Sequence, residues 1–152
     1  MLPFRYSSPI LLGFVRERKK IPVGKFVLRD IKSIEQKNVG KEARIPLEIE
    51  NNRAVIIEWV LRACHTNDVT SYHASLLIDS QRIRGIDYCP NEKKKYFKIL
   101  IPKGWHENVF DPNTGEDRHE PFDIGTLSDF EDFCGRVAKR WNIDYQKEGT
   151  LL

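Results

Sequence analysis

The stretch Ala43-Arg-Ile-Pro-Leu-Glu-Ile-Glu-Asn-Asn-Arg-Ala-Val-Ile-Ile-Glu-Trp59 decides the fold. Ile45, Leu47 and Ile49 alternate with Arg44, Glu48 and Glu50, the period of two that marks a strand with one buried face. Asn51-Asn52 is a turn signal, and Ala54–Ala63 follows as a long, mostly β-branched run ending in Cys64. The segment reads as a β-hairpin with a half-buried first strand and a more buried second one.

Working outward, the polar run His65–Thr70 separates this hairpin from a third strand at about Tyr72–Ile78. Asp79-Ser80-Gln81 turns the chain into a fourth strand, Arg82–Tyr88, where Gly85 interrupts the alternation and suggests a bulge. Pro90-Asn91-Glu92 ends it, and Lys95–Ile101 makes a fifth. Residues 102–125 hold Pro102, Gly104, Pro112, Gly115, Pro121 and Gly125 and read as a long irregular loop. Beyond it, Thr126 or Ser128 can cap a helix over 126–145, with Leu127, Phe130, Phe133, Val137 and Trp141 at spacings of three and four.

Toward the N-terminus, Ser8-Pro9 followed by Ile10–Val15 and the cations of Arg16–Lys20 reads as a short capped helix. Phe26–Ile34 fits a helix through Leu28, Ile31 and Ile34, or a strand beginning at Phe26-Val27-Leu28. The expected fold is α+β over a single domain, 1–152. An antiparallel meander of about five strands (43–101) is packed by the C-terminal helix and the short N-terminal one, with residues 1–42 forming a helical or irregular extension.

Composition agrees with a soluble domain. The 152 residues are 40% hydrophobic and 31% charged, too apolar for disorder and too polar for a membrane protein. No apolar run approaches the roughly 18 residues of a membrane span, and no signal-peptide pattern is visible. Cys64, Cys89 and Cys134 are an odd number without a CxxC pair, which disfavours a disulfide framework and points to free thiols in a cytoplasmic protein. No phosphate-cradling glycine loop, nucleophile elbow or dinucleotide fingerprint is present, and no cofactor is expected.

The net charge of +3 hides a strong alternation. Arg82, Arg84, Lys93, Lys94, Lys95, Lys98 and Lys103 crowd one stretch against only Asp87 and Glu92, whereas Arg118 is the sole cation among the acids between His106 and Cys134. A ridge carrying Arg82, Arg84, Lys93, Lys94 and Lys95 suits phosphate contacts, with Tyr88 and Trp105 available to stack on bases. His73, His106 and His119 are the acid/base candidates for metal-independent RNA cleavage, which needs a base, an acid and a cation for the charge that builds on phosphorus. Arg82, Arg84 and Lys95 would supply the cation. A competing reading places a divalent metal among His106, Glu107, Asp111, Asp117, His119 and Glu120.

The order Ile45–Trp59, then Tyr72-His-Ala-Ser-Leu-Leu-Ile-Asp-Ser-Gln-Arg-Ile-Arg-Gly-Ile-Asp-Tyr88, then a Lys-rich turn, resembles the TumE-like toxins of bacterial toxin–antitoxin systems. His119-Glu-Pro-Phe122 followed by Thr126–Phe133 is similar to that family's closing segment, so the resemblance spans about 43–141. Where those toxins carry a histidine-rich element, this chain has Lys94-Lys95-Tyr96-Phe97-Lys98, and its histidines come later, at 106 and 119. The resemblance implies a cytoplasmic growth-inhibiting toxin that acts on RNA and is held by a protein antitoxin. The alternative expectation is a non-catalytic interaction module of a defence or toxin–antitoxin complex, docking through the acidic 106–132 segment and the basic ridge.

Overall fold

The alternation at 43–63 becomes the middle of a large sheet. The computed structural model describes residues 4–22, 28–32, 39–50, 52–66, 69–89, 93–94, 100–101 and 104–145. Their elements, in chain order, are α1 (Ser8–Arg16), β1 (Lys19–Lys20), β2 (Leu28–Lys32), β3 (Val39–Ile49), β4 (Asn52–Thr66), β5 (Val69–Ile78), β6 (Gln81–Cys89), β7 (Lys93–Lys94), β8 (Leu100–Ile101), β9 (Gly104–Asp111), β10 (Glu116–Pro121), α2 (Phe130–Arg140) and β11 (Ile143–Asp144). Nine strands form one sheet in the order β10-β9-β6-β5-β4-β3-β1-β11, with β2 pairing along the other end of β3. All its pairings are antiparallel except β1 with β11. The fold is therefore α+β on a mostly antiparallel sheet, larger than the five-stranded meander expected.

The core lies on one face of that sheet. Ala43, Ile45, Leu47 and Ile49 of β3 are buried, as are Val55, Ile57, Trp59 and Leu61 of β4 and Ala74, Leu76 and Ile78 of β5. Leu11, Phe14 and Val15 of α1 and Phe133, Cys134, Val137 and Trp141 at α2 complete the same cluster. Each large side chain so buried contributes roughly 1.5–3 kcal/mol. Helix α2 starts at Asp129, whose side chain accepts from Asp132 N at 2.7 Å, so it is shorter than 126–145 and is capped by neither Thr126 nor Ser128. Asn142 in the left-handed region turns the chain out of the helix and into β11. Among the described residues no helix is long and apolar enough to cross a membrane.

Three expectations need correction. The first is the loop at 102–125, most of which is the β9–β10 hairpin. Its prolines and glycines punctuate that hairpin: Gly104 opens β9, Pro112 and Gly115 sit in the turn, and Pro121 closes β10. The turn is stitched by Asp111, whose Oδ1 accepts from Asn113 N at 2.9 Å and whose carbonyl accepts from Gly115 N at 2.8 Å. The alternation that should reveal β9 is missing because both of its faces are buried, from His106 to Phe110.

The second is the expected fifth strand: Leu100–Ile101 pairs with Lys93–Lys94 apart from the main sheet, the rest of 95–101 lies outside the described residues, and β9 takes the place beside β6. The third concerns one member of the basic run at the end of α1, which is buried where a surface cation is the usual case. Lys19 is fully buried in β1, and its Nζ donates to Val15 O, Glu17 O and Trp141 O at 2.6, 2.8 and 2.6 Å, so one ammonium satisfies carbonyls at the ends of both helices. Within the ambiguous Phe26–Ile34 segment, Leu28–Lys32 is a strand.

Candidate functional site

Strand register brings together residues far apart in the chain. His73 of β5 lies opposite Asp87 of β6, and Asp87 lies opposite His106 of β9. In the next row Gly85 faces Asn108, and Asn108 faces His119 of β10. The neighbours of these residues, Tyr72 and Trp105, pack on Phe133 of α2, so by strand alternation the polar row occupies the face turned away from the helices.

Asp87 is the hub. Its Oδ1 accepts from His73 Nδ1 at 2.9 Å and from Arg82 Nη2 at 3.0 Å. Its Oδ2 accepts from Asn108 Nδ2 at 2.6 Å and lies 3.5 Å from His106 Nε2. Burial opposes its ionisation, but hydrogen bonds from His106 and His73 and the charge of Arg82 outweigh it and hold the carboxyl well below the usual range. An ionised carboxylate only accepts, so His73 must carry its proton on Nδ1 and present Nε2 as the acceptor when neutral. The same logic runs one residue further: Asn108 donates to Asp87 through Nδ2, so its Oδ1 accepts from His119 Nδ1 at 2.5 Å. His106 sits edge-on to His119 with ring centroids 5.4 Å apart, and its buried Nδ1 meets no hydrogen-bond partner among the described residues.

The route of Arg82 to Asp87 depends on two local features. Pairing shifts between Leu76 and Leu77, because Leu76 opposes Arg84 while Leu77 opposes Arg82, so Ile83 is the extra residue of a β-bulge. The bulge therefore precedes Gly85 by two residues. It sends Arg82 to the histidine face and Arg84 to the helix face. Gly85 then leaves room for the guanidinium, since a Cβ there would stand 1.8 Å from Arg82 Nη2. That nitrogen also donates to Ala74 O at 3.3 Å.

The helix face holds a second polar cluster. Glu107 is 1% exposed, and its Oε1 and Oε2 accept from Arg140 Nη2 and Trp141 Nε1, each at 2.9 Å. Arg84 approaches the same carboxylate at 3.6 Å, and Arg140 lies over the Phe122 ring at 4.4 Å. This cluster ties the C-terminal end of α2 to the sheet.

The residues expected to form one site are thus distributed. His73, His106, His119 and Arg82 come together. Arg84, Tyr88 and Trp105 face the helices instead, where Trp105 stacks on Tyr72 and Phe133 and Tyr88 packs against Trp105 at 4.9 Å. The single basic ridge is therefore split by the bulge. Lys93 and Lys94 form β7, while their side chains and all of Lys95 lie outside the described residues. The metal reading loses its donor set: alternation along β9 and β10 puts Glu107 and Glu120 on the opposite face from His106 and His119. Among the described residues no group of three or more His, Cys, Asp or Glu is arranged to hold a metal ion.

Asp87 and Asn108 were missed. Asp87 stood out only as one of two acids in a basic stretch, and Asn108 had no signal at all, being one polar letter in a presumed loop. Comparison with family models, curated proteins and solved structures finds no match to this chain.

Proposed function

We propose that the face built from His73, Asp87, Asn108, His119 and Arg82 cleaves RNA without a metal. The observation that carries the reading is a pair of histidines from β5 and β10, each with Nδ1 oriented by one buried acid, directly for His73 and through Asn108 for His119. The His73 side chain is 37% exposed, enough for its Nε2 to meet a ligand while Nδ1 stays on Asp87. In this reading His73 Nε2 takes the proton of a ribose 2′-hydroxyl and the 2′-oxygen bonds to the neighbouring phosphorus. The bond from phosphorus to the 5′-oxygen breaks as protonated His119 gives that oxygen its proton. The products are a 2′,3′-cyclic phosphate and a 5′-hydroxyl.

Arg82 supplies positive charge beside the reacting phosphate, and His106 is a positioning residue that holds Asp87 from the strand beside it. The biological setting that fits is a toxin of a toxin–antitoxin or defence system with a protein antitoxin as partner. A second reading, docking without catalysis, is favoured by β10, which among the described residues pairs only with β9, at the end of the strand order. Incubating the protein with RNA in EDTA separates the two. Cleavage to cyclic-phosphate ends is expected, falling about a hundredfold or more in His73→Ala and His119→Ala. No cleavage, or equal cleavage by a variant lacking all three histidines, overturns the ribonuclease reading.

A further inference from the structure

The helix side of the sheet carries a cavity that the histidine face does not use. It has a volume of about 430 Å³, opens between α1 and the β6, β9 and β10 strands, and is walled by Leu12, Val15, Ile83 and Val109. That volume falls within the roughly 300–1,000 Å³ typical of small-molecule sites. Among the described residues that line it are two cations, Arg84 and Arg118, and one acid, Asp111.

Arg84 is the unusual group. Its side chain is only 14% exposed, yet the nearest carboxylate oxygen, Glu107 Oε1, is 3.6 Å away, beyond hydrogen-bonding distance. Glu107 is already committed, with one oxygen bonded to Arg140 and the other to Trp141. A guanidinium that is mostly covered yet borders a cavity can turn its donors to a ligand there, and its planar fork matches a carboxylate in two parallel hydrogen bonds. Glu107 and Glu120 reach these two arginines only at 3.6 and 3.7 Å, so an anion in the cavity can take the hydrogen bonds that those carboxylates do not. The apolar walls require that anion to carry a hydrocarbon body.

We propose that this cavity binds a small apolar carboxylate, its head bidentate on Arg84, Arg118 closing over it at the mouth, and its body against Leu12, Val15 and Val109. Arg118 suits that closing role because its side chain is 66% exposed and its ion pair to Glu120 is long, at 3.7 Å.

Octanoate is the probe, titrated calorimetrically into the full chain beside 1-octanol and octylamine. Octanoate is expected to bind about tenfold tighter than octanol, with octylamine weakest, as a charge-assisted pair in a largely buried site requires. Arg84→Gln should erase the preference while octanol still binds, and Arg118→Gln, at an exposed position that leaves the fold intact, should weaken octanoate several-fold. Methyl NMR shifts at Leu12, Val15 and Val109 locate the ligand. Should Arg84→Gln not fold, the octanoate-to-octanol ratio of the unaltered chain and the Arg118→Gln result decide. Equal binding of octanoate and octanol, no binding of either, or shifts elsewhere overturn the proposal. The His73→Ala and His119→Ala variants should bind octanoate unchanged, which separates this site from RNA cleavage.

Discussion

His106 and Glu107 are neighbours in β9 and both are buried, yet they belong to opposite environments. Glu107 points at α2 and gives both oxygens to groups at its C-terminal end, a closed arrangement that holds a helix on a sheet. His106 points the other way, toward Asp87, which serves two histidines, an arginine and an amide. One carboxylate is consumed by structure, whereas the other orients imidazole rings, groups that can exchange protons near neutral pH. Burial alone does not distinguish them; what matters is whether the partners could themselves do chemistry.

The sharpest way to break the comparison is to remove each acid in turn. Glu107→Ala leaves Arg140 and Trp141 without their shared acceptor and removes the carboxylate beside Arg84, and should cost about 3–5 kcal/mol in urea denaturation. Asp87→Asn keeps the shape and should cost less, while lowering RNA cleavage about a hundredfold because His73 loses the acceptor that fixes its proton on Nδ1. The two variants should also differ in acid. The Asp87 carboxyl lies below its ordinary value in the folded chain, so its contribution is complete above about pH 4 and is lost as pH falls through the depressed value. The stability gap between the native chain and Asp87→Asn should therefore narrow below pH 4, and a gap that stays constant to pH 2 would contradict the hub role.

A finer test separates the route from the destination. The three atoms nearest to a Cβ at Gly85 all belong to the Arg82 guanidinium, so Gly85→Ala should cost about 1–3 kcal/mol by forcing that side chain out of its path to Asp87. In an Arg82→Ala background the same substitution should cost almost nothing. A penalty that survives there would place the conflict in the backbone instead.

How much of this was readable beforehand follows from which signals are local. The alternation at Ile45, Leu47 and Ile49 and the run to Ala63 marked β3 and β4 because one face is buried and the other is not. Strand β9 defeated the same reasoning because both of its faces are covered, and its central His-Glu-Asn looked like a loop. The three histidines were legible as candidates by residue type. Their convergence was not, since it depends on cross-strand register fixed by pairing over long separations. Arg82 and Arg84 were read as one ridge from their charge; residues two apart on a regular strand would share a face, and one extra residue at Ile83 separates them.

Lys19 offers the smallest and most selective test, because it lies in neither polar cluster and still bears on how the helix face is held. Burial pushes its ammonium from 10.5 down to about 8, with Glu17 opposing the shift, although three carbonyls receive its donors. Between those values the unfolded chain holds the proton more tightly than the folded one, so stability should rise with pH across the window. Relative to Lys19→Met, which has nothing to titrate at that position, the native chain should gain about 1 kcal/mol from pH 8 to pH 9 and change little below pH 7. The slope belongs to the ammonium alone if the His73→Ala chain reproduces it. A flat difference would mean that the three carbonyls hold the charge against burial, and that Lys19 clamps the ends of α1 and α2 as a permanent cation.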